Sequence, residues 1–507
     1  MNNIREEKYE IKIEDYVLDN VHGYIGLTKV EKEIEALPIF QRLRRIKQLG
    51  LADIIFPGAE HTRYIHSLGV MYIIDQMALK LGFNDEERQI ARLAGMLHDI
   101  GHYPLSHLGE SVYKDKFSQS VVQEEDLDNY LKISNNEVKE KIKSMKEDDS
   151  LLIKDVLMKE PKSKFHHEFI GTMVIRNSKE IKQIISKNCS FINIDDICDI
   201  ITGNIKNKKN IVMAQLLHSE LDADRLDYLL RDAAYSGASY GKIELGSILK
   251  NLTKKMHSGY GVEIVGVTSK GIAAADQFLV NRFFAYSQVI FHKYVAILGQ
   301  MSKDIMKTLL KYNKFPTGEE LKDMIINYED DKDNKYLKFT DDYFFSQIVK
   351  LKEEKNLPND VLFILDKLTN FRALDLESEP FLYSNSNIDN IRESIEKSKI
   401  YSDLLSDIDN CIYVLDEVRI TNHVPIDKFT NAYSKYNENF AVTRNEEGKP
   451  IAEESLETCL KHRLINGIAI IDNNSDEEPK LIIDSNISII NNLSRYQQIS
   501  LKQYKLS

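Results

Sequence analysis

The feature that most constrains this chain is the stretch Leu93-Ala-Gly-Met-Leu-His-Asp-Ile-Gly-His-Tyr-Pro-Leu-Ser-His107. An apolar helical segment runs directly into three histidines and an aspartate. His98 and Asp99 are adjacent, His102 follows across Gly101, and His107 follows Pro104. Borderline-soft divalent metals favour imidazole nitrogen and harder ones carboxylate oxygen, so a mixed set of this kind can hold Mn, Fe, Zn or Mg. One histidine on an apolar helix is more often a satisfied core residue than a ligand. A cluster this dense points instead to a metal centre.

The flanking segments are arranged to serve it. Thr28 with Glu31 makes a capping box for a helix that ends at Pro38, and Phe40, Leu43, Ile46 and Leu49 then predict a second helix ending at Gly50. Arg42, Arg44, Arg45 and Lys47 make that helix the densest basic patch, either a solvated face or an anion or nucleotide site. The loop Phe56–Thr62 delivers Arg63 and His66 to a helix that stops at Gly82, and Asn84 with Glu87 caps the next, which runs into His98-Asp99. Antiparallel pairing of these two helices would bring His66 and His98-Asp99 within reach of one metal. Phe165-His-His-Glu adds a further imidazole pair. In His218–Asp232, Asp224, Asp227 and Arg231 share one helix face opposite Leu226 and Leu229. That face reads either as ion-paired and solvated or, with Arg225, Tyr228 and Asp232, as a site for phosphates and a sugar.

Residues from about 112 to 164 are lysine- and glutamate-rich and read as an insertion. A long helix is expected from Ile272 to Leu310, another capped by Thr317 with Glu320, and strand-like pieces beyond about residue 370. Net charge is −12, which argues against nucleic acid as a partner for the chain as a whole. The four cysteines form no CxxC pair and read as reduced thiols of a cytoplasmic protein; no signal peptide or membrane span is expected.

Several strings in order, Phe40-Gln-Arg-Leu-Arg…Lys-Gln-Leu-Gly50, Phe56-Pro-Gly-Ala, Arg63-Tyr-Ile-His-Ser-Leu-Gly69, His98-Asp-Ile-Gly-His…Ser-His107 and Asp222-Ala-Asp-Arg-Leu-Asp-Tyr228, resemble HD-domain deoxynucleoside triphosphate triphosphohydrolases, above all the branch that pairs a sterile-alpha-motif with an HD domain. The resemblance runs from about Val21 to Lys311. It implies a mainly α fold: an HD core over residues 1–310, carrying the insertion, and a mixed α/β C-terminal region over 311–507 for oligomerisation or regulation. It makes His66, His98, Asp99 and Asp224 the ligands of a divalent metal, which this donor set leaves open among Mn, Fe, Mg, Co and Ni. His107 with Glu110 becomes the catalytic pair, glutamate standing where the family has aspartate. His102, His167, Arg63, Arg225 and Arg282 would face the phosphates. Gln48, Leu49 and Tyr228 would line the sugar pocket, and Asp232 would help hold the nucleotide.

The implied reaction converts a dNTP to deoxynucleoside and inorganic triphosphate, either in housekeeping or in defence against a replicating invader. The family also implies a homotetramer with an activating nucleotide between subunits, for which Gln41, Arg44 and Lys270 are candidates. Two further residues depart from the pattern. Ala36 stands where an aspartate would recognise guanine, and Ile290 where a tyrosine would pack on the substrate. Against other HD enzymes, His98-Asp99 is not followed by the Glu-Asp of alarmone hydrolases, and the Gly-Tyr-Pro of cyclic-dinucleotide phosphodiesterases is missing. A dNTP-sensing scaffold with little turnover is the reading from a different class.

Overall fold

The computed structural model describes residues 9–117, 165–203, 210–257, 262–290, 292–354 and 357–373, with five strand segments further on. A hairpin opens the described chain: β1 (Ile13–Asp19) pairs antiparallel with β2 (Gly23–Thr28). Helices α1 (Lys29–Glu35) and α2 (Pro38–Gln41) follow, then α3 (Arg63–Lys80), α4 (Asp85–Leu97) and α5 (His107–Phe117). After the gap come α6 (His167–Asn177), α7 (Lys179–Asn188), α8 (Ile194–Thr202), α9 (Ile211–His218), α10 (Ala223–Ser236) and α11 (Leu245–Asn251). A second antiparallel hairpin, β3 (Leu252–His257) with β4 (Val262–Val267), leads into α12 (Ile272–Ala285) and α13 (Lys293–Lys311). Four more helices complete the helical part: α14 (Gly318–Ile326), α15 (Lys335–Lys338), α16 (Asp341–Leu351) and α17 (Asn359–Thr369). The fold is mainly α.

The capping signals act where the sequence places them. The Glu31 carboxylate accepts from the Thr28 N–H at 2.8 Å, Asn84 and Glu87 cap α4 reciprocally, and so do Thr317 and Glu320 at α14. Gly82 takes φ +79 just past α3, the left-handed conformation that ends helices. Apolar faces of α3, α4 and α10 (Val70, Ile73, Ile74, Leu93, Leu97, Leu226, Leu229) meet in one buried core. That core continues past residue 310 through Phe315, Tyr336, Phe344, Ile348 and Leu365.

Four expectations need correction. The helix expected over Phe40–Gly50 is only α2 and a 3-10 turn at Arg42–Arg45. Ile46 is extended (φ −126°, ψ 110°), its carbonyl accepts from the Arg63 N–H, and Gln48 donates to the His61 carbonyl. Long-range backbone pairing with the loop before α3 wins over local periodicity. The expected basic face also divides: Arg42 is buried and donates to the carbonyls of His102, Tyr336 and Phe339, and Lys47 pairs with Asp53, while Arg44 and Arg45 remain outside. The helix expected from Ile272 to Leu310 is broken by a π turn at Tyr286–Ile290, and His292 caps the restart. The start of the expected insertion belongs to α5, where Val112 and Tyr113 are buried and the Tyr113 hydroxyl donates to the Pro316 carbonyl at 2.6 Å. The rest of that insertion, residues 118–164, lies outside the described residues.

Beyond α17, β6 (Cys411–Val418), β7 (Ala469–Ile470) and β8 (Lys480–Leu481) overlap the strand-like pieces expected there, and β5 (Phe381–Tyr383) and β9 (Gln498–Lys505) are two strands that the sequence reading did not single out. They form two sheets, ordered β3-β4-β7-β8 and β5-β9-β6. Among the described residues no helix is long and apolar enough to cross a membrane.

Candidate functional site

The antiparallel pair α3 and α4 carries His66 from its first turns and His98-Asp99 from its last, and α10 adds Asp224 from beside them. His66 Nε2 stands 2.9 Å from Asp224 Oδ1 and 3.7 Å from Asp99 Oδ2, and His98 Nε2 lies 3.3 Å from Asp99 Oδ1. Neither imidazole Nε2 has a hydrogen-bond partner, although both are buried. Their other ring nitrogens are spoken for: His66 Nδ1–H donates to Asp227 at 2.7 Å, and His98 Nδ1–H to the Gly95 carbonyl at 2.8 Å. Each Nδ1–H is thereby committed, and Nε2 is the nitrogen turned toward the carboxylates. Buried unpartnered nitrogens are costly, and a cation between them and Asp99 and Asp224 removes that cost. The donor set therefore fits a divalent metal.

Burial alone would lower the His66 pKa, but the Asp224 and Asp227 carboxylates beside the ring push it up to about 10. Burial works against ionisation of Asp99, yet Arg63 and the neighbouring histidines hold its carboxyl well below the usual range. Arg63 is thus spent inward: it donates to Asp99 at 2.8 Å and to the Ser106 hydroxyl at 3.0 Å.

A second group adjoins the first. Glu110 Oε2 accepts from His107 Nδ1 and from His167 Nδ1, both at 2.9 Å. His102 stacks on His167 with centroids 4.1 Å apart, and its Nε2 lies 3.1 Å from Asp99 Oδ1. His102 and His167 both have pKa values pushed down, chiefly by burial, so both are neutral near pH 7. His107 is the outward member, its side chain 66% exposed. It is delivered by a tight turn in which Leu105 (φ +57) and Ser106 (φ +56) are both left-handed. Such a pair persists only when its surroundings hold it. Here the Leu105 N–H donates to Asp341 at 2.7 Å, and the Ser106 hydroxyl donates to the Lys47 carbonyl at 2.7 Å. The α6 backbone reaches the turn because Gly101 is a glycine; a Cβ there would lie 2.2 Å from the His167 carbonyl.

The remaining candidates fall into two sets. Arg225 pairs with Asp222, and Arg282 with Glu220, while Arg282 Nε and one terminal nitrogen make no hydrogen bond. Gln48 is buried with its Oε1 unpartnered, Leu49 is half-buried, and Tyr228 lies near Arg225 and Arg282 with its hydroxyl pKa raised by burial. Asp232 is committed to His61 at 2.8 Å rather than open to a ligand. Gln41 donates to Glu35 and accepts from Arg44, whose guanidinium stacks 3.5 Å over Tyr64, and Lys270 is exposed on a separate 3-10 turn.

Sequence reasoning missed His22, His61 and the position of Asp227. The face holding Asp227 and Arg231 is ion-paired but buried, not solvated. The signal for Asp227 was its place one turn after Asp224; His22 and His61 carried none.

Residues 63–232 match the family model for the HD domain. An uncharacterised protein of Methanocaldococcus jannaschii is 28% identical over 369 residues, 72% of this chain and 64% of its own length. The human deoxynucleoside triphosphate triphosphohydrolase SAMHD1 is 44% identical over 97 residues, 18% of this chain and 16% of its own. The chain thus spans less than two thirds of these relatives. A solved structure of a hypothetical protein from Aquifex aeolicus shares the fold at TM-score 0.60 and 21% identity, covering 97% of this chain and 96% of that one. With its paired histidines and aspartates in place, the segment over residues 63–232 is an HD domain.

Proposed function

We propose that this chain is a metal-dependent dNTP triphosphohydrolase. The observation that carries the reading is the convergence of His66, His98, Asp99 and Asp224 beside the His107–Glu110–His167 cluster. The similarity to SAMHD1 over the same region supports the substrate class.

A divalent cation held by those four residues would supply positive charge at the scissile phosphate. The side chains do the rest. Glu110 holds His107 by Nδ1, leaving Nε2 to donate a proton to the 5′-oxygen as its bond to the α-phosphorus breaks and water adds. A triphosphate carries about four negative charges, and donors set in place in advance stabilise them without reorganisation. Neutral His102 and the two unpaired nitrogens of Arg282 are such donors, whereas His167 spends its one N–H on Glu110. Gln48 Oε1 accepts from the 3′-hydroxyl, and Leu49 leaves no room for a 2′-hydroxyl. In this reading the HD core extends to about residue 310, and 311–507 serves oligomerisation or regulation in a cytoplasmic homotetramer. Gln41, Arg44 and Lys270 are the candidates for an activating nucleotide.

The test is product analysis with Mn or Mg and each dNTP, singly and mixed. Deoxynucleoside plus inorganic triphosphate supports the reading, and activity only in mixtures supports an activator. Release of phosphate or pyrophosphate overturns the regiochemistry. Bound metal with no turnover in any mixture would favour a sensing scaffold.

A further inference from the structure

Helix α10 offers the metal cluster two carboxylates in different capacities. Asp224 faces the ligand nitrogens, whereas Asp227, one turn on, stands behind His66. Its Oδ2 accepts from His66 Nδ1 at 2.7 Å and from Arg231 Nε at 2.8 Å; its Oδ1 accepts from Arg231 at 2.9 Å and from His22 Nε2 at 2.6 Å. All four donors converge on a carboxylate whose side chain is 0% exposed. The His22 side chain is itself 2% exposed, and its ring lies against Tyr72 of α3.

His22 belongs to the β1–β2 turn, outside the segment matched to the HD family. The turn is built to place it. Asp19 Oδ1 accepts from the N–H groups of Val21 and His22 at 2.9 and 2.7 Å, and Asp19 Oδ2 accepts from Arg231 at 2.7 Å. Asp19 thereby ties the turn to α10, and Gly23 at φ +71 sends the chain back as β2. Arg231 approaches Asp227 from its own helix and so cannot by itself set the carboxylate relative to α3. His22 approaches from a different element and fixes the second oxygen.

We infer that His22 is a positioning residue for the metal-ligating His66, acting through Asp227. The inference rests on the metal reading of the His66–His98–Asp99–Asp224 cluster. With His22 present, Asp227 keeps His66 as the Nδ1–H tautomer and holds Nε2 toward Asp99 and Asp224. Without it, Oδ1 loses its shortest contact and the ring behind the metal loosens.

The experiment is Mn²⁺ titration of the full chain, free ion read by electron paramagnetic resonance, with the melting temperature of the metal-free protein measured in parallel. His22→Leu is expected to weaken Mn²⁺ binding by about 10-fold, the lower end of the cost of losing the direct partner of a ligating histidine, because Asp227 itself stays. His22→Gln, whose amide nitrogen reaches the position of Nε2, is expected to restore most of that affinity. Should His22→Leu not fold, His22→Asn against His22→Gln makes the same comparison, since only the longer amide reaches Asp227. If His22→Leu, or His22→Asn in its place, lowers the melting temperature but leaves Mn²⁺ affinity unchanged, His22 merely braces the hairpin and the inference is overturned. A wild-type chain that binds no Mn²⁺ overturns the metal reading itself, and the inference with it.

Discussion

Replacing Gly69 by alanine puts one methyl group where α3 and α10 touch. An alanine Cβ at that position would lie 1.9 Å from Asp227 Oδ1 and 2.4 Å from a terminal nitrogen of Arg231. Neither atom is the free end of a loose side chain. Asp227 is fixed by His66, His22 and Arg231, and Arg231 by Asp227 and Asp19. If the helices part, the cost is that of overpacking a core, about 1–3 kcal/mol. If the carboxylate yields instead, a buried ion pair is broken, at about 3–5 kcal/mol. The second route is the expected one, because the clash falls on the charged atoms. For a cooperative unit of about 150–250 residues this is a fall in melting temperature of roughly 6–20 °C. Metal affinity should fall with it, since His66 loses the acceptor that sets its tautomer. Thermal denaturation and metal analysis of Gly69→Ala against wild type are the assay. A change under about 2 °C, where each kcal/mol is worth at least that much, with bound metal retained would refute the close-approach reasoning.

Three other outcomes follow from the same geometry. Under the proposed function, His98→Ala and Asp99→Ala should each abolish bound metal and dNTP hydrolysis while leaving a folded protein; full turnover by metal-free His98→Ala would remove the cluster from the mechanism. Asp341→Ala leaves the buried N–H groups of Lys47 and Leu105 without acceptors, at about 1–3 kcal/mol each. It should lower the melting temperature and, under the proposed function, kcat more than KM; unchanged kinetics would show that the turn before His107 holds itself. At Glu31, burial would raise the carboxyl pKa, but Arg92 holds it below the ordinary 4.5. Its stabilisation is therefore complete above that value and lost as pH falls through the lower folded-state value, so acid unfolding should begin below pH 4.5 and Glu31→Gln should flatten that slope, as urea midpoints across pH would show.

Local chemistry was legible in the sequence where it decided the structure. The capping residues of α1, α4 and α14 ended up as caps, because those bonds span three residues and need no tertiary help. His66 and His98-Asp99 could be placed together because two helices joined at Gly82 have one way to lie antiparallel. Legibility failed where a distant partner overrode a local pattern. Leu43, Ile46 and Leu49 have helical spacing, yet Ile46 is extended and Lys47 bridges to Thr62, because the backbone of His61 and Arg63 pairs with Gln48 and Ile46. Arg42 looked like part of a basic surface, and only the carbonyls of Tyr336 and Phe339, nearly 300 positions away, explain its burial. His22 was unreadable for the same reason, since its partner Asp227 lies 205 residues on.

These distant partners all support the site from behind. The HD segment supplies the four candidate ligands and the His107–Glu110–His167 cluster, but it does not hold them in place alone. His22 and Asp19 reach the back of His66 through Asp227 and Arg231. Asp341, on a helix more than 100 residues past the HD segment, accepts from Lys47 next to Gln48 and from Leu105 two residues before His107. One carboxylate thus sets the proposed sugar-reading segment and the proposed proton donor against each other. A change in how α16 packs would move both at once, and with them the distance between the 3′-hydroxyl acceptor and the 5′-oxygen donor. The residues that touch substrate in the proposed reaction therefore come mostly from residues 48–282, whereas their relative positions are set by elements at both ends of the helical part.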